Sequence, residues 1–267
     1  MLSILVFAIG ASVGSFLNVV ADRLPMGGSL ISPRSYCPSC KRSLPNLELV
    51  PILSYLWLRG RCRTCGESIP LRIVLVETVT ALLFAAVYLR FGLTLEFLIL
   101  SAAVSLLIVV AVIDIEHGLI LNRIVLPSVA VLLVLAPFWP QMDVPRPFLG
   151  SAGMVASMAN SLAAGGGAFL IFLVIGLAYP QGMGGGDVKL AGLVGLLVGF
   201  PGVLVALWGA VVSGGVVAIS LLVLGKKGRK DAIPFGPFLS LGGIAVLLAG
   251  VDIIAGYQSL LDKVAGL

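Results

Sequence analysis

The sequence predicts an all-α polytopic membrane protein, and three observations predict it. Hydrophobic residues fill 59% of the 267 positions and glycine another 33, whereas ordinary soluble domains are about 45–50% apolar with glycine included. Charged residues are only 11%, and mean hydropathy is +1.15. The apolar residues also fall in runs long enough to cross a bilayer, which takes about 20 of them. Together these exclude a soluble enzyme and a disordered chain, which needs low hydrophobicity and high net charge. Four Cys in so long a chain also exclude a disulfide scaffold.

Eight stretches are candidate spans: 2–20, 73–89, 95–113, 119–136, 161–179, 188–200, 203–224 and 238–256. The first lacks the basic segment of a cleavable signal and runs on into an intact motif, so it reads as a retained span. The stretch 188–200 has too few apolar residues before Pro201 to cross about 30 Å at about 1.5 Å each, so it reads as a short helix inside the bundle. The chain then divides into a first helix (1–20), a four-cysteine loop domain (21–72) and a multi-helix membrane domain (73–267). The connection 137–160 is a proline-punctuated outer connection whose structure the sequence leaves open, His117 reads as a loop residue at the interface, and no internal repeat stands out. The Ala163–Ala168 run, rich in Gly and Ala, reads as close helix packing.

Charge orients the chain. The loops 21–72, 114–123, 180–189 and 225–235 hold Arg23, Arg34, Lys41, Arg42, Arg59, Arg61, Arg63, Arg72, Arg123, Lys189, Lys226, Lys227, Arg229 and Lys230. The other side has only Arg90, Arg146 and Lys263. The positive-inside rule makes the first side cytoplasmic and places both termini outside. These bases set topology and suit anionic lipid headgroups; no nucleic-acid partner is expected.

All four cysteines lie in the first cytoplasmic loop, as Cys37-Pro38-Ser39-Cys40 and Cys62-Arg63-Thr64-Cys65. Two such pairs at this separation match a structural four-thiolate zinc site. Cytoplasmic thiols stay reduced, and a small loop without a core gains its folding energy from a metal. Free or redox-active thiols and disulfides are the competing readings. A closed four-thiolate site leaves zinc no open position, so it carries no chemistry.

Asp114 and Asp187 lie at the cytoplasmic ends of apolar stretches. An intramembrane carboxylate costs free energy unless it is paired or faces a wet cavity, which makes it a functional candidate. Two at one depth can share a proton, one acting as base toward water and the other protonating the scissile carbonyl or its leaving nitrogen. Gly184 to Gly186, just before Asp187, let a peptide backbone approach. Other hydrolytic motifs are missing: His117 is the one histidine, so no His-Glu-x-x-His exists, and there is no Gly-x-Ser-x-Gly elbow. Glu77, inside the second span, reads equally as a structural hydrogen-bonding group or as part of a substrate or methyl-transfer site. A carboxylate such as Glu48 or Glu77 can help an amine lose its proton before methylation.

These motifs, six in order over nearly the whole chain, resemble the bacterial type IV prepilin peptidases. The resemblance rests on Gly14-Ser15-Phe16-Leu17-Asn18 with Arg23-Leu24-Pro25, on Ser32 to Cys40, on Pro51 to Leu56 leading to Cys62 and Cys65, on Asp114-Ile115-Glu116-His117, on Gly184-Gly185-Gly186-Asp187-Val188-Lys189, and on Ile233 to Phe238. It implies a membrane aspartic endopeptidase that cleaves the leaders of prepilins and pseudopilins at the cytoplasmic edge of the bacterial inner membrane. Asp114 and Asp187 would be catalytic, with Gly184, Gly186 and Lys189 supporting them. Members with the cysteine loop also methylate the new N terminus from S-adenosylmethionine. Two departures stand out: Glu48-Leu49-Val50-Pro51 replaces the family's Glu-Asn-Ile-Pro, and Ile120-Leu121-Asn122 replaces its Ile-Pro. Two rivals come from other classes. One is a proton- or ion-coupled transporter, which predicts midplane carboxylates between repeats; the other is a methyltransferase or assembly factor without protease activity.

Overall fold

The computed structural model describes residues 1–142, 144, 146–179, 182–226, 228 and 233–265, and only the backbone of 251 and 254–265. Lys227, Arg229 and Lys230, used above to orient the chain, lie outside the described residues, as does the side chain of Lys263. Among the described residues the chain is all helical. It runs α1 (Leu2–Arg23), α2 (Leu53–Trp57), α3 (Leu71–Phe91), α4 (Leu95–His117), α5 (Asn122–Leu135), α6 (Met154–Ala178), α7 (Gly185–Val198), α8 (Gly202–Val223) and α9 (Gly236–Ala265). Short 3₁₀ segments occupy Asn46–Leu49 and Ala136–Met142. The chain forms two compact units, Met1–Val109 and Val110–Leu267.

Six stretches are long and apolar enough to cross a membrane: α1, α3, α4, Asn122–Met142, α6 and α8. The expected count of eight is therefore not reached among the described residues. Helix α7 has 14 residues, or about 21 Å at 1.5 Å each, short of a hydrocarbon core of about 30 Å. Helix α9 is apolar over Gly236–Gly250, the part before 251, the first of its residues described by backbone alone.

In the first unit, α1 and α3 pack with their backbones nearly touching. A Cβ at Gly14 would lie 2.7 Å from the Glu77 Cα, and one at Gly10 would lie 2.8 Å from the Ala81 Cα. Small residues permit this approach, which drives helix association where lipid removes the hydrophobic effect. Asn18 ties the pair by donating to the Ile73 carbonyl at 3.1 Å, and Arg72 pairs with Asp22 at 2.6 Å where the loop leaves the two helices. Phe97 of α4 then meets Phe84 and Tyr88 edge-on, with both centroid distances 6.3 Å.

In the second unit α7 is the core. Val188 and every residue from Leu190 to Leu197 are buried, with α5, α6, α8 and α9 against them. The Gly-Ala run of α6 does pack closely, through one face: Ala164, Gly165 and Ala168 are buried, and a Cβ at Gly195 would lie 2.5 Å from the Ala164 carbonyl. Gly166 and Gly167 face open space.

Three sequence expectations are corrected here. The span expected at 161–179 starts earlier, as α6 begins at Met154, and Ala136–Met142 in the connection before it is a 3₁₀ segment. His117 is the last residue of α4, not a loop residue, because the polar Asp114 to His117 stretch completes that helix. Arg146 is no outer topogenic charge. It is buried at the carboxyl end of α7, where it donates to the Leu196 carbonyl at 2.9 Å, to the Leu197 carbonyl and to the Ser161 hydroxyl at 2.7 Å. Its guanidinium lies 4.1 Å over the Trp139 ring. The last carbonyls of any helix lack intrahelical donors and carry partial negative charge, so a helix ending away from water needs such a cation. Asn160 holds the residue beyond the cap: its Oδ1 accepts the Phe200 N–H at 2.7 Å and its Nδ2 donates to the Phe200 carbonyl at 3.0 Å.

Candidate functional site: a carboxylate pair and a four-thiolate cluster

The carboxylate site lies within the second unit. Asp114 sits one turn inside the end of α4 and is 5% exposed. Its Oδ2 accepts the Gly236 N–H at 2.9 Å, at the first turn of α9. A helix amino end offers free N–H groups and a positive dipole, so it holds an anion well. Gly236 allows this because its backbone is pressed against the acid; a Cβ there would lie 2.6 Å from the Asp114 Oδ2. The sequence singled out the 233–238 block without giving it a role, and this contact supplies one. Phe235 anchors the turn beside the rings of Phe172 and Phe238, with centroids 6.0 and 6.2 Å away.

Asp187 opens α7, which is not one of the six spans. Its Oδ2 accepts the Gly184 N–H at 3.2 Å, reaching back over the first turn. Its Oδ1 is buried with no hydrogen-bond partner among the described residues. Burial, then the charge of Asp114, pushes the Asp187 carboxyl up to about 6 against the pull of the Gly184 N–H. Asp187 thus feels the charge of Asp114, and two acids so placed resist ionising together.

Gly186 and Lys189 join α7 to the turn after Asp114. A Cβ at Gly186 would lie 2.8 Å from the Ile120 Cβ, and Lys189 Nζ donates to Asn122 Oδ1 at 2.9 Å. The departure at Ile120-Leu121-Asn122 thus supplies both partners of this clasp. Gly185 faces open space beside the acids. A pair of this kind can activate water on one carboxylate and deliver a proton from the other.

The cysteine cluster belongs to the first unit. The four Sγ atoms of Cys37, Cys40, Cys62 and Cys65 lie within 4.8 Å of one another, and those of Cys37 and Cys65 are 3.7 Å apart. Tetrahedral zinc with bonds of about 2.3 Å sets sulfurs about 3.8 Å apart, so the cluster fits a metal of that size. The cluster is built from one unit used twice, shifted by 25 residues. Tyr36 bridges Ser43 as Arg61 bridges Ser68; the Cys37 N–H meets the Arg42 carbonyl as that of Cys62 meets Glu67. Leu44 reaches Ser35 as Ile69 reaches Gly60, and a proline follows each. The chain therefore does carry a short internal repeat, in 35–45 and 60–70, which sequence inspection passed over because few side chains coincide. In each knuckle the turn aims N–H groups at sulfur. The Cys65 and Thr64 N–H groups pull Cys62 down to about 6, and those of Cys40 and Ser39 hold Cys37 below its ordinary value. Against the pull of the Glu67 N–H, burial and the three other thiols push Cys65 up to about 11. Two ligands are thus readied as thiolates, and a metal must displace a proton from Cys65.

The two remaining candidate carboxylates, Glu48 and Glu77, are both buried in this unit. Glu77 on α3 accepts the Ile52 N–H at 2.7 Å and a hydrogen bond from the Ser15 hydroxyl. Glu48 takes Arg42 at 2.6 Å on Oε2, while its Oε1 has no partner among the described residues.

A membrane protein that holds a pair of neighbouring acids, one buried and one half-buried, and a four-thiolate cluster is, as a class, a polytopic protein with two centres. The bacterial peptidase A24 N-terminal domain model matches residues 8–91, and the type IV leader peptidase family model matches residues 101–219. A protein of Bacillus subtilis (strain 168) named prepilin leader peptidase/N-methyltransferase is 37% identical over 261 residues, 96% of this chain and 98% of its own. Proteins of the same name from Myxococcus xanthus (strain DK1622) and Pseudomonas putida are 36% and 32% identical, covering 85% and 95% of this chain and 66% and 92% of their own. The chain belongs to the type IV leader peptidase family. No solved structure matches it. The names of these relatives lend no support to a transporter.

Proposed function

We propose that this chain cleaves the leaders of prepilins or pseudopilins and N-methylates the residue that cleavage exposes. The approach of Asp187 to Asp114, made by the Gly186–Ile120 and Lys189–Asn122 contacts between their segments, carries the proposal. With one proton on the pair, the ionised carboxylate takes a proton from water, which attacks the scissile carbonyl. The other carboxyl then protonates the departing nitrogen. Asp114, facing the amino end of α9, suits the ionised role; Asp187, with its buried and unpartnered Oδ1, suits the protonated one. Gly184, Gly186 and Lys189 fix the depth of Asp187 beside the turn that follows Asp114. The charge distribution supports a cytoplasmic-edge site in the bacterial inner membrane with both termini outside, and a prepilin lying with its apolar helix in the bilayer.

Cys37, Cys40, Cys62 and Cys65 hold a structural zinc ion that orders the loop domain. S-adenosylmethionine supplies the methyl group when bound. The free, buried Oε1 of Glu48 is an acceptor for the new N-terminal ammonium, which must lose its proton before it is methylated. Glu77 is already engaged by Ile52 and Ser15, so its part in methyl transfer is to hold the loop. Purified protein incubated in detergent with a prepilin and S-adenosylmethionine tests both halves. The expected product is a shortened pilin heavier by one methyl group; an unchanged prepilin contradicts the proposal.

A further inference from the structure

The chain from Leu47 to Trp57 lies in the loop that the sequence assigns to the cytoplasm, yet it presents an apolar face. Leu53, Leu56 and Trp57 are 64%, 63% and 64% exposed, and Leu47 before them is 69% exposed. The three α2 residues stand at i, i+3 and i+4, which places them on one side of the helix. Contiguous apolar surface of this kind marks an interaction site.

Its depth says what covers it. The Asp22–Arg72 ion pair marks where the loop leaves α1 and α3. Glu77 lies five residues further into α3 than Arg72, and Gly14, packed on Glu77, lies eight residues further into α1 than Asp22. At about 1.5 Å per residue, Glu77 is about 7–12 Å below the charged rim. The Ile52 N–H is bonded to the Glu77 carboxylate at 2.7 Å, and Ser15, seven residues below Asp22, shares that carboxylate. Even with the side chain leaning back along its helix, the start of α2 is held on the membrane side of the Asp22–Arg72 rim. Arg59, Arg61 and Arg63 follow directly and are exposed, with Glu67 the one acid close behind them in sequence. Interfacial amphipathic helices combine these two features, an apolar face sunk about 5–10 Å and basic residues at the headgroups.

We propose that Leu47–Trp57 is a membrane-embedded wedge. On this reading Leu53, Leu56 and Trp57 enter the cytoplasmic leaflet of an anionic bilayer, and Arg59, Arg61 and Arg63 lie on its headgroups. The two cysteine knuckles flank the wedge in sequence, so it moors the metal cluster at the bilayer surface.

Tryptophan emission tests this on the full chain in vesicles of phosphatidylcholine and phosphatidylglycerol. Subtracting the Trp57→Phe variant from the wild type isolates Trp57. That share should fall by about half or more when the lipid chains carry bromine near the headgroup, and it should resist aqueous iodide. It should gain iodide access when phosphatidylglycerol is omitted. Placing the reporter one residue back, Leu56→Trp in the Trp57→Phe background, should give the same quenching if Trp57→Phe itself disturbs the loop. Iodide quenching without bromine quenching overturns the proposal. So does bromine quenching that disappears on adding a prepilin, because the occupant is then the substrate helix.

Discussion

The two candidate centres are built in opposite ways. The cysteine cluster is local: all its ligands fall within 37–65, each pair on its own tight turn, and the same turn is used twice. The carboxylate site is assembled from distant chain, with Asp114 on α4, Asp187 on α7 and the Gly236 N–H of α9, 122 residues from the acid it binds. A local centre can order a loop that has no core, because metal binding supplies the folding energy. A centre made from several helices exists only where those helices are held in register. The difference teaches that thiolate spacing reports a cluster directly, whereas the acid pair depends on residues that look unrelated in the sequence.

The comparison breaks most visibly at the acids. Asp114→Asn and Asp187→Asn should each lower cleavage by about 10²–10⁴-fold, and the double variant should be scarcely worse, because a shared proton needs both sites. A steady-state assay in which the two losses multiply would show two independent carboxylates instead. The cysteine variants should give the converse pattern. Cys37→Ser or Cys62→Ser should lose bound metal and depress methylation more than cleavage, read from metal content and from a pre-cleaved pilin. Acid should do the same to the wild type, because protons compete with the metal for all four thiolates; metal content should fall as pH is lowered and recover on raising it.

Smaller effects sharpen the account of register. Arg146→Met should destabilise the second unit by about 2–3 kcal/mol, since it strips charged donors from the α7 carbonyls, and Arg146→Lys should recover part of this. Thermal melts in detergent would measure it, and equal melting of all three proteins would remove the capping role. Gly236→Ala should cost cleavage about tenfold, or about 1.4 kcal/mol, because the added carbon must displace the Asp114 carboxylate. The double variant Glu48→Gln, Glu77→Gln should slow methylation of a pre-cleaved pilin and spare cleavage.

Much of this was legible in the sequence, for physical reasons. Apolar length gives helices, Cys-x-x-Cys spacing gives a cluster, and an acid after an uncharged run gives a candidate site. The short α7 was legible too, because Asp187 and Pro201 bound it. Arg146 was misread, since a rule that counts charges by side takes no account of burial. The signal was present: a lone arginine between two prolines, in an outer segment whose one other charge is Asp143. The Asp114–Gly236 contact was not legible, because no local pattern links residues that far apart. The repeated knuckle hid in backbone hydrogen bonds, which side-chain identity records poorly.

The central claim is that cleavage belongs to the acids of the second unit and methylation to the cysteine-bearing first unit. The most direct test is product mass for the Asp187→Asn protein given S-adenosylmethionine with a prepilin and, separately, with a pre-cleaved pilin. The account predicts an intact prepilin and a pre-cleaved pilin heavier by one methyl group. A shortened prepilin, or a pre-cleaved pilin left unmethylated by a protein that melts like the wild type, would contradict it.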